Sequence, residues 1–175
     1  SITTFFKLIE KEHSKEHNVS GSEYLGHDKF NGYYYNGIRH EDIQKSSFKN
    51  ESFDLIISQD VLEHVPSLKK SLKEVYRTLK GGGLFLFSIP FDLNIKKTQA
   101  RAILLKDNTI EYIVPPVYHG NPVDKKGSLV FHDFGMDLFD IIKGIGFKEL
   151  VVVSYYNSFY GHIGGNTQFC FLAKK

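Results

Sequence analysis

Apolar positions along this chain fall into two patterns. Residues 53–58 (FDLIIS) and 84–89 (LFLFSI) are nearly continuous apolar runs, as expected of parallel strands buried on both faces; half-exposed strands alternate instead. Between them, residues 68–79 (LKKSLKEVYRTL) set Leu68, Leu72, Val75, Tyr76 and Leu79 on one helical face and leave the other positions charged or polar. Gly81, Gly82 and Gly83 follow, and glycine's access to the left-handed conformation predicts that they end the helix. Residues 53–90 therefore predict strand, acidic turn, helix and second strand. That order puts Gln59, Asp60, Glu63 and His64 at the carboxyl end of the first strand, where open α/β sheets bind their ligands.

The flanking segments extend the alternation. Residues 3–17 predict a helix with one buried end, because Phe5, Phe6, Leu8 and Ile9 precede a polar run. Residues 18–25 predict a short strand ending at Glu23, and residues 38–43 a second strand with acidic residues at its end. Between them lies a glycine- and tyrosine-rich loop, whose Tyr33, Tyr34 and Tyr35 either stack on a flat substrate or, as the preferred reading, cover the edge of the core. Residues 91–130 are rich in proline, glycine and asparagine and predict a long insertion or lid. A helix over 135–145, a strand over 146–156 and a terminal strand over 167–175 complete one domain, residues 1–175. The predicted fold is a three-layer α/β sheet whose last strands suit antiparallel pairing.

Composition narrows the classes. The 175 residues, 41% of them hydrophobic, can bury one core. Lys and Arg total 22 against 20 for Asp and Glu, and pairs such as Lys69/Lys70, Lys96/Lys97 and Lys125/Lys126 are scattered, so nothing favours a nucleic-acid partner. A single cysteine, Cys170, excludes an internal disulfide and reads as a small buried hydrophobe. No apolar run reaches the roughly 20 residues of a membrane span, and the first residues lack signal-peptide order, so the expected setting is soluble, reducing and cytoplasmic. The chain starts at Ser1 and not at Met, which fits a tag remnant or a point inside a longer polypeptide.

Several residues could carry chemistry. A carboxylate at Glu23 can accept both hydroxyls of a ribose, and one at Asp42 an amino group of adenine; solubility or helix capping is an equal alternative at each. Asp60, Glu63 and His64 stand at i, i+3 and i+4, so a helical turn would aim them to one side as an acid/base cluster or a divalent-metal site. The favoured reading of that triplet is structural, with Asp60 capping the turn. His119 and His132 are further candidates for a base if the 91–130 segment folds over the sheet. The glycine-rich stretch 161–166 lies between two strands, where phosphate binding is not expected.

The order of these elements resembles the class I S-adenosylmethionine-dependent methyltransferases, of the type 11 small-molecule kind. The resemblance rests on Phe53 and Asp54, on the run Val61, Leu62, Glu63, His64, Val65, Pro66, and on Glu74, Arg77, Leu79, Lys80, Gly82, Gly83 and Pro90. It covers about residues 18–175. It implies a Rossmann-like sheet, mostly parallel with an antiparallel C-terminal strand, and S-adenosylmethionine as cofactor. It also implies methyl transfer to a small-molecule acceptor, with no nucleic-acid or membrane partner, and leaves a homodimer open. By likeness Glu23 takes the place of the ribose-binding acid, Asp42 and Ile43 hold the adenine, and Gln59 with Asp60 touch the cofactor at the strand end. His64, His119 and His132, in that order, are the candidate catalytic bases. The D-x-x-E-H order also resembles the E-x-x-E-H metal site of some O-methyltransferases, with Asp60 as the shorter first acid, and a divalent metal is the less favoured expectation. The family's glycine-rich loop after its first strand has no counterpart before residue 18. A cut from a longer protein, a divergent relative and a non-catalytic binding or dimerisation module all stay open.

Overall fold

The computed structural model describes residues 3–121, 123–155, 159 and 168–175. Helix α1 (Thr4–His13) starts where the Thr3 hydroxyl accepts from the Phe6 N–H. It is shorter than predicted and buries no residue, with Phe5 and Leu8 exposed. The predicted strand over 18–25 is reduced to a single bridge between Glu23 and His40. Beside it β1 (Tyr34–Tyr35) and β2 (Ile38–Arg39) form an antiparallel hairpin that the loop reading missed. Asn36 and Gly37 turn it with φ of 51° and 77°, the positive pair that an Asn-Gly turn favours. Tyr33 and Tyr34 stand 66% exposed, so neither covers the core as expected.

The main sheet carries β3 (Phe53–Gln59), followed by α2 (Leu68–Thr78) and β4 (Leu79–Ser88). The insertion contributes short pairs: β5 (Gln99–Ala100), β6 (Ala102–Leu104), β7 (Ile110–Tyr112), β8 (Tyr118–His119), β9 (Ser128–Leu129) and β10 (His132–Asp133). Then come α3 (Leu138–Ile145), β11 (Glu149–Tyr155) and β12 (Gln168–Lys174), and the four-stranded order is β11-β12-β4-β3. β3 and β4 run parallel, whereas β12 is antiparallel to both β4 and β11.

Helix α2 owes its place to its apolar face. Ser67 caps its start by accepting from the Lys70 N–H, and Leu68, Leu72 and Val75 are buried. Its end differs from the predicted glycine stop: Leu79 turns extended, while the carbonyls of Arg77 and Thr78 accept from the N–H groups of Glu51 and Ser52 at 3.0 and 2.7 Å. Gly81 to Gly83 lie inside β4, where the pairing with β3 shifts register between Phe53 and Leu55. Gly82 takes φ 78°, and a Cβ on Gly83 would sit 3.0 Å from the Lys80 carbonyl oxygen. The glycines make a bulge. The helix needs no glycine because a neighbouring strand entry satisfies its last carbonyls.

One face of the sheet is closed and the other open. Phe85, Phe87, Phe171 and Ala173 pack with Leu72, Leu79, Leu138 and Ile142 in one cluster, each at most 1% exposed. On the opposite face Leu55 and Ile57 of β3 and Val151 and Val153 of β11 are 48, 37, 50 and 49% exposed. Burial of the 53–58 run on both faces is therefore corrected: α2 and α3 cover one side, and among the described residues β3 is an edge strand paired with β4 alone. A continuous apolar run records that both faces are apolar, and carries no information about what covers each. Cys170 is half-buried, paired with Val153.

The closed face outweighs the surface ion pairs. The Lys80–Asp54 contact is 2.7 Å long but exposed, a class worth about 0–1 kcal/mol, whereas truncating a fully buried leucine costs about 2–5 kcal/mol. Leu72→Ala is expected to lower stability by that larger amount in urea unfolding followed by circular dichroism. A loss under about 1 kcal/mol would show that α2 does not hold the core.

Candidate functional site

At the carboxyl end of β3 the backbone reverses. Asp60 takes φ 48°, a left-handed conformation that aspartate tolerates. Its N–H donates to the Ser88 carbonyl at the end of β4, and its Oδ1 accepts from the Ser88 hydroxyl at 3.0 Å. Gln59, paired with Ser88, is the last residue of the strand. This places Gln59 and Asp60 where two parallel strands finish, at the site sequence reasoning selected.

A second acidic segment reaches the same end of the sheet. Asp42 is anchored by its N–H to the Asn31 side chain at 2.7 Å, and its Oδ1 accepts from the Gln44 N–H at 2.8 Å. The Gln44 side-chain carbonyl then accepts from the Ser67 N–H at 3.0 Å, so the loop after Asp42 is tied to the first residue of the α2 cap. Farther along, Arg77 binds Glu74 and the carbonyls of Ser46 and Phe48, which seats the loop along α2. Ile43 packs on the core. Glu23 lies one bridge away, exchanging backbone bonds with Arg39 and Glu41 around the buried His40. The charge of Asp42, with burial as the larger cause, raises the Tyr24 phenol above its usual range.

The third part is the turn after Asp60. Residues Leu62–His64 form one 3₁₀ turn that buries Leu62 and Glu63 completely. The insertion is stitched to it. The Phe131 N–H donates to the Glu63 carbonyl at 2.7 Å, His64 Nδ1 meets the Leu129 carbonyl at 2.8 Å, and His132 Nε2 meets the Val65 carbonyl at 2.9 Å. Since β8 pairs with β9, that stitching carries His119 to the corner. His64 Nε2 and His119 Nδ1 each lie 3.7 Å from Glu63 Oε1, with the two rings edge-to-face at 5.0 Å.

Burial dominates the electrostatics. It pushes the Glu63 carboxyl up to about 7, with the nearby Asp60 charge adding to the effect. Burial also lowers His64 and His132, favouring neutral rings. Both Glu63 oxygens are buried without a hydrogen-bond partner among the described residues. Such a cluster can exchange a proton near neutrality or hold a cation.

Sequence spacing grouped Asp60, Glu63 and His64. The atoms that approach one another within 4.8 Å belong instead to Glu63, His64 and His119. Asp60 precedes the turn and is spent on Ser88, so the helical spacing assumed for the triplet does not apply. His119 joins through antiparallel pairing that no local pattern announced. His132 is engaged with Val65 at the same corner, and Glu23, Asp42 and Ile43 lie on the loop side. The stretch 161–166 falls outside the described residues.

Comparison with known proteins bears on the domain type and the fold. A family model described as a methyltransferase domain matches residues 14–87. Sarcosine/dimethylglycine N-methyltransferase of Aphanothece halophytica is 32% identical over 85 residues, which are 49% of this chain and 26% of that protein. Arsenite methyltransferase of Mus musculus is 42% identical over 50 residues, 29% of this chain and 13% of that protein. The chain thus spans about a quarter or less of the curated relatives it matches. A crystal structure of an S-adenosylmethionine-dependent methyltransferase from Mesorhizobium loti shares the fold, with a TM-score of 0.51 and 17% identity over 79% of this chain and 70% of that one. No helix among the described residues is long and apolar enough to cross a membrane. The matched segment is thus similar to a methyltransferase domain, and the α/β sheet shares the Rossmann-like fold of that solved structure.

Proposed function

We propose that this chain takes part in methyl transfer from S-adenosylmethionine to a small-molecule acceptor. One observation carries the reading: the Asp42 loop is bonded through Gln44 to the Ser67 cap, at the end of the sheet where Gln59 and Asp60 finish β3. The donors and acceptors present fit the adenosyl half of the cofactor. Glu23 would accept from the ribose hydroxyls and Asp42 from the adenine amino group. Ile43 would lie against the base, and Gln59 with Asp60 would meet the cofactor at the strand end. When bound, the cofactor supplies an electrophilic methyl group on a sulfonium centre. The chain's own residues orient the acceptor and accept its proton. His64 and His119 are the candidate bases that face one centre, and His132 is third because its Nε2 is engaged with Val65. The acceptor would enter under residues 91–130, read as the lid of a single domain, in a cytoplasmic setting.

A second reading is a methyltransferase-like binding or dimerisation module. The open apolar sheet face, with Leu55, Ile57, Val151 and Val153, favours it.

Differential scanning fluorimetry separates the two. S-adenosylhomocysteine at 100 times its dissociation constant should stabilise the chain by about 2.7 kcal/mol. No shift at millimolar ligand, together with a dimer by light scattering, would favour the module. Within the methyl-transfer reading, Glu23→Gln and Asp60→Asn should each weaken binding about tenfold or more, since a hydrogen bond to a charged group is worth about 1.5–3 kcal/mol. Calorimetry finding unchanged affinity for both variants would remove these residues from the pocket.

A further inference from the structure

We propose that Glu63, His64 and His119 bind one divalent transition-metal ion of the zinc class. The case begins with a carboxylate that has nowhere to place its charge. The Glu63 side chain is 0% exposed, and neither oxygen has a hydrogen-bond partner among the described residues. An isolated buried carboxylate is costly, and buried polar groups are almost always satisfied. Protonation does not resolve the problem, because a carboxyl hydroxyl also needs an acceptor within hydrogen-bond reach. The two ring nitrogens that face Oε1 stand at 3.7 Å, beyond that reach.

That separation suits ligands that share an ion. Two donors bound at about 2.0–2.1 Å in a tetrahedral site lie roughly 3.4 Å apart, so each carboxylate–imidazole edge needs to contract by only a few tenths of an ångström. All three donor atoms lie within 4.8 Å of one another. The tautomer is prepared as well. With its Nδ1 donating to the Leu129 carbonyl at 2.8 Å, His64 presents the Nε2 lone pair toward Glu63. A backbone carbonyl behind a ligating histidine is the usual outer contact of metal sites.

The donor set selects the ion. Two imidazoles and one carboxylate suit zinc, cobalt or iron(II), while magnesium and calcium prefer all-oxygen shells. Three protein ligands leave a fourth position for water or an acceptor atom, and the His119 side chain, 40% exposed, gives access from solvent. Metal binding stands apart from the methyl-transfer reading and does not depend on the adenosyl pocket. It does compete with a base role for His64 and His119, since the coordinated Nε2 and Nδ1 have no lone pair left to accept a proton.

The test uses the full chain freed of metal with a chelator. Zinc is titrated by isothermal calorimetry, and cobalt is followed by its visible absorption. We expect one ion per chain, and affinity at least about tenfold lower in His119→Ala and in the near-isosteric Glu63→Gln. Because His119 is partly exposed, its variant is expected to fold, and the far-ultraviolet spectrum checks this. His13 and His17 form a separate pair one helical turn apart, with rings 6.2 Å apart, so the double variant H13A/H17A serves as control and should bind like the parent. Absence of saturable zinc or cobalt binding would overturn the proposal. So would binding that survives both corner variants, or binding that vanishes in H13A/H17A.

Discussion

Phe85 and Phe87 on β4 stack on each other at 4.6 Å, and Phe87 stacks on Phe171 of β12 at 5.0 Å, under the apolar faces of α2 and α3. This burial holds the parallel β3–β4 pair and the antiparallel β12 in one sheet. Each fully buried side chain of this size contributes about 1.5–3 kcal/mol relative to exposure, more than any exposed ion pair on the surface. With β3 and β4 held parallel, their carboxyl ends coincide. The Ser88–Asp60 contact then makes that end a defined corner.

The corner joins three segments distant in sequence. The loop after Asp42 reaches it through Gln44 and Ser67, and the 3₁₀ turn supplies Glu63 and His64. The stretch 129–132 bonds to residues 63–65 and brings His119 with it. Each connection uses a backbone group on at least one side, so the geometry does not depend on long flexible side chains. The outcome is an acidic rim next to a buried carboxylate faced by two imidazoles. On the proposed reading the first would accept from hydroxyl and amino groups of a nucleoside, and the second would take a proton or a cation.

The opposite face of the sheet has a different character. Leu55 and Ile57 are apolar and exposed at an edge strand whose outer backbone groups face no strand among the described residues. Exposed apolar edges usually meet another surface. The amphipathic α1 likewise leaves Phe5 and Leu8 exposed and has no fully buried residue.

Local pattern alone determined much of this protein. The alternation of apolar runs with the α2 stripe specified strand, helix and strand, because periodicities of two and 3.6 are properties of the chain itself. Gln59 and Asp60 at the end of β3 were legible for the same reason, whereas the strand expected to end at Glu23 is only a bridge to His40. The Asn36-Gly37 hairpin was also written locally, as an Asn-Gly pair between Tyr35 and Ile38, and was passed over. Tertiary structure decided the rest. Whether residues 53–58 are covered on both faces depends on which layers pack there, and Gly81 to Gly83 became a bulge because Glu51 and Ser52 had already satisfied the last carbonyls of α2. His119 met Glu63, 56 positions away by their numbers, through the β8–β9 pairing and the contacts of residues 129–132 with the corner. Such meetings are set by the closure of long loops onto a packed sheet, and no nearest-neighbour pattern encodes them.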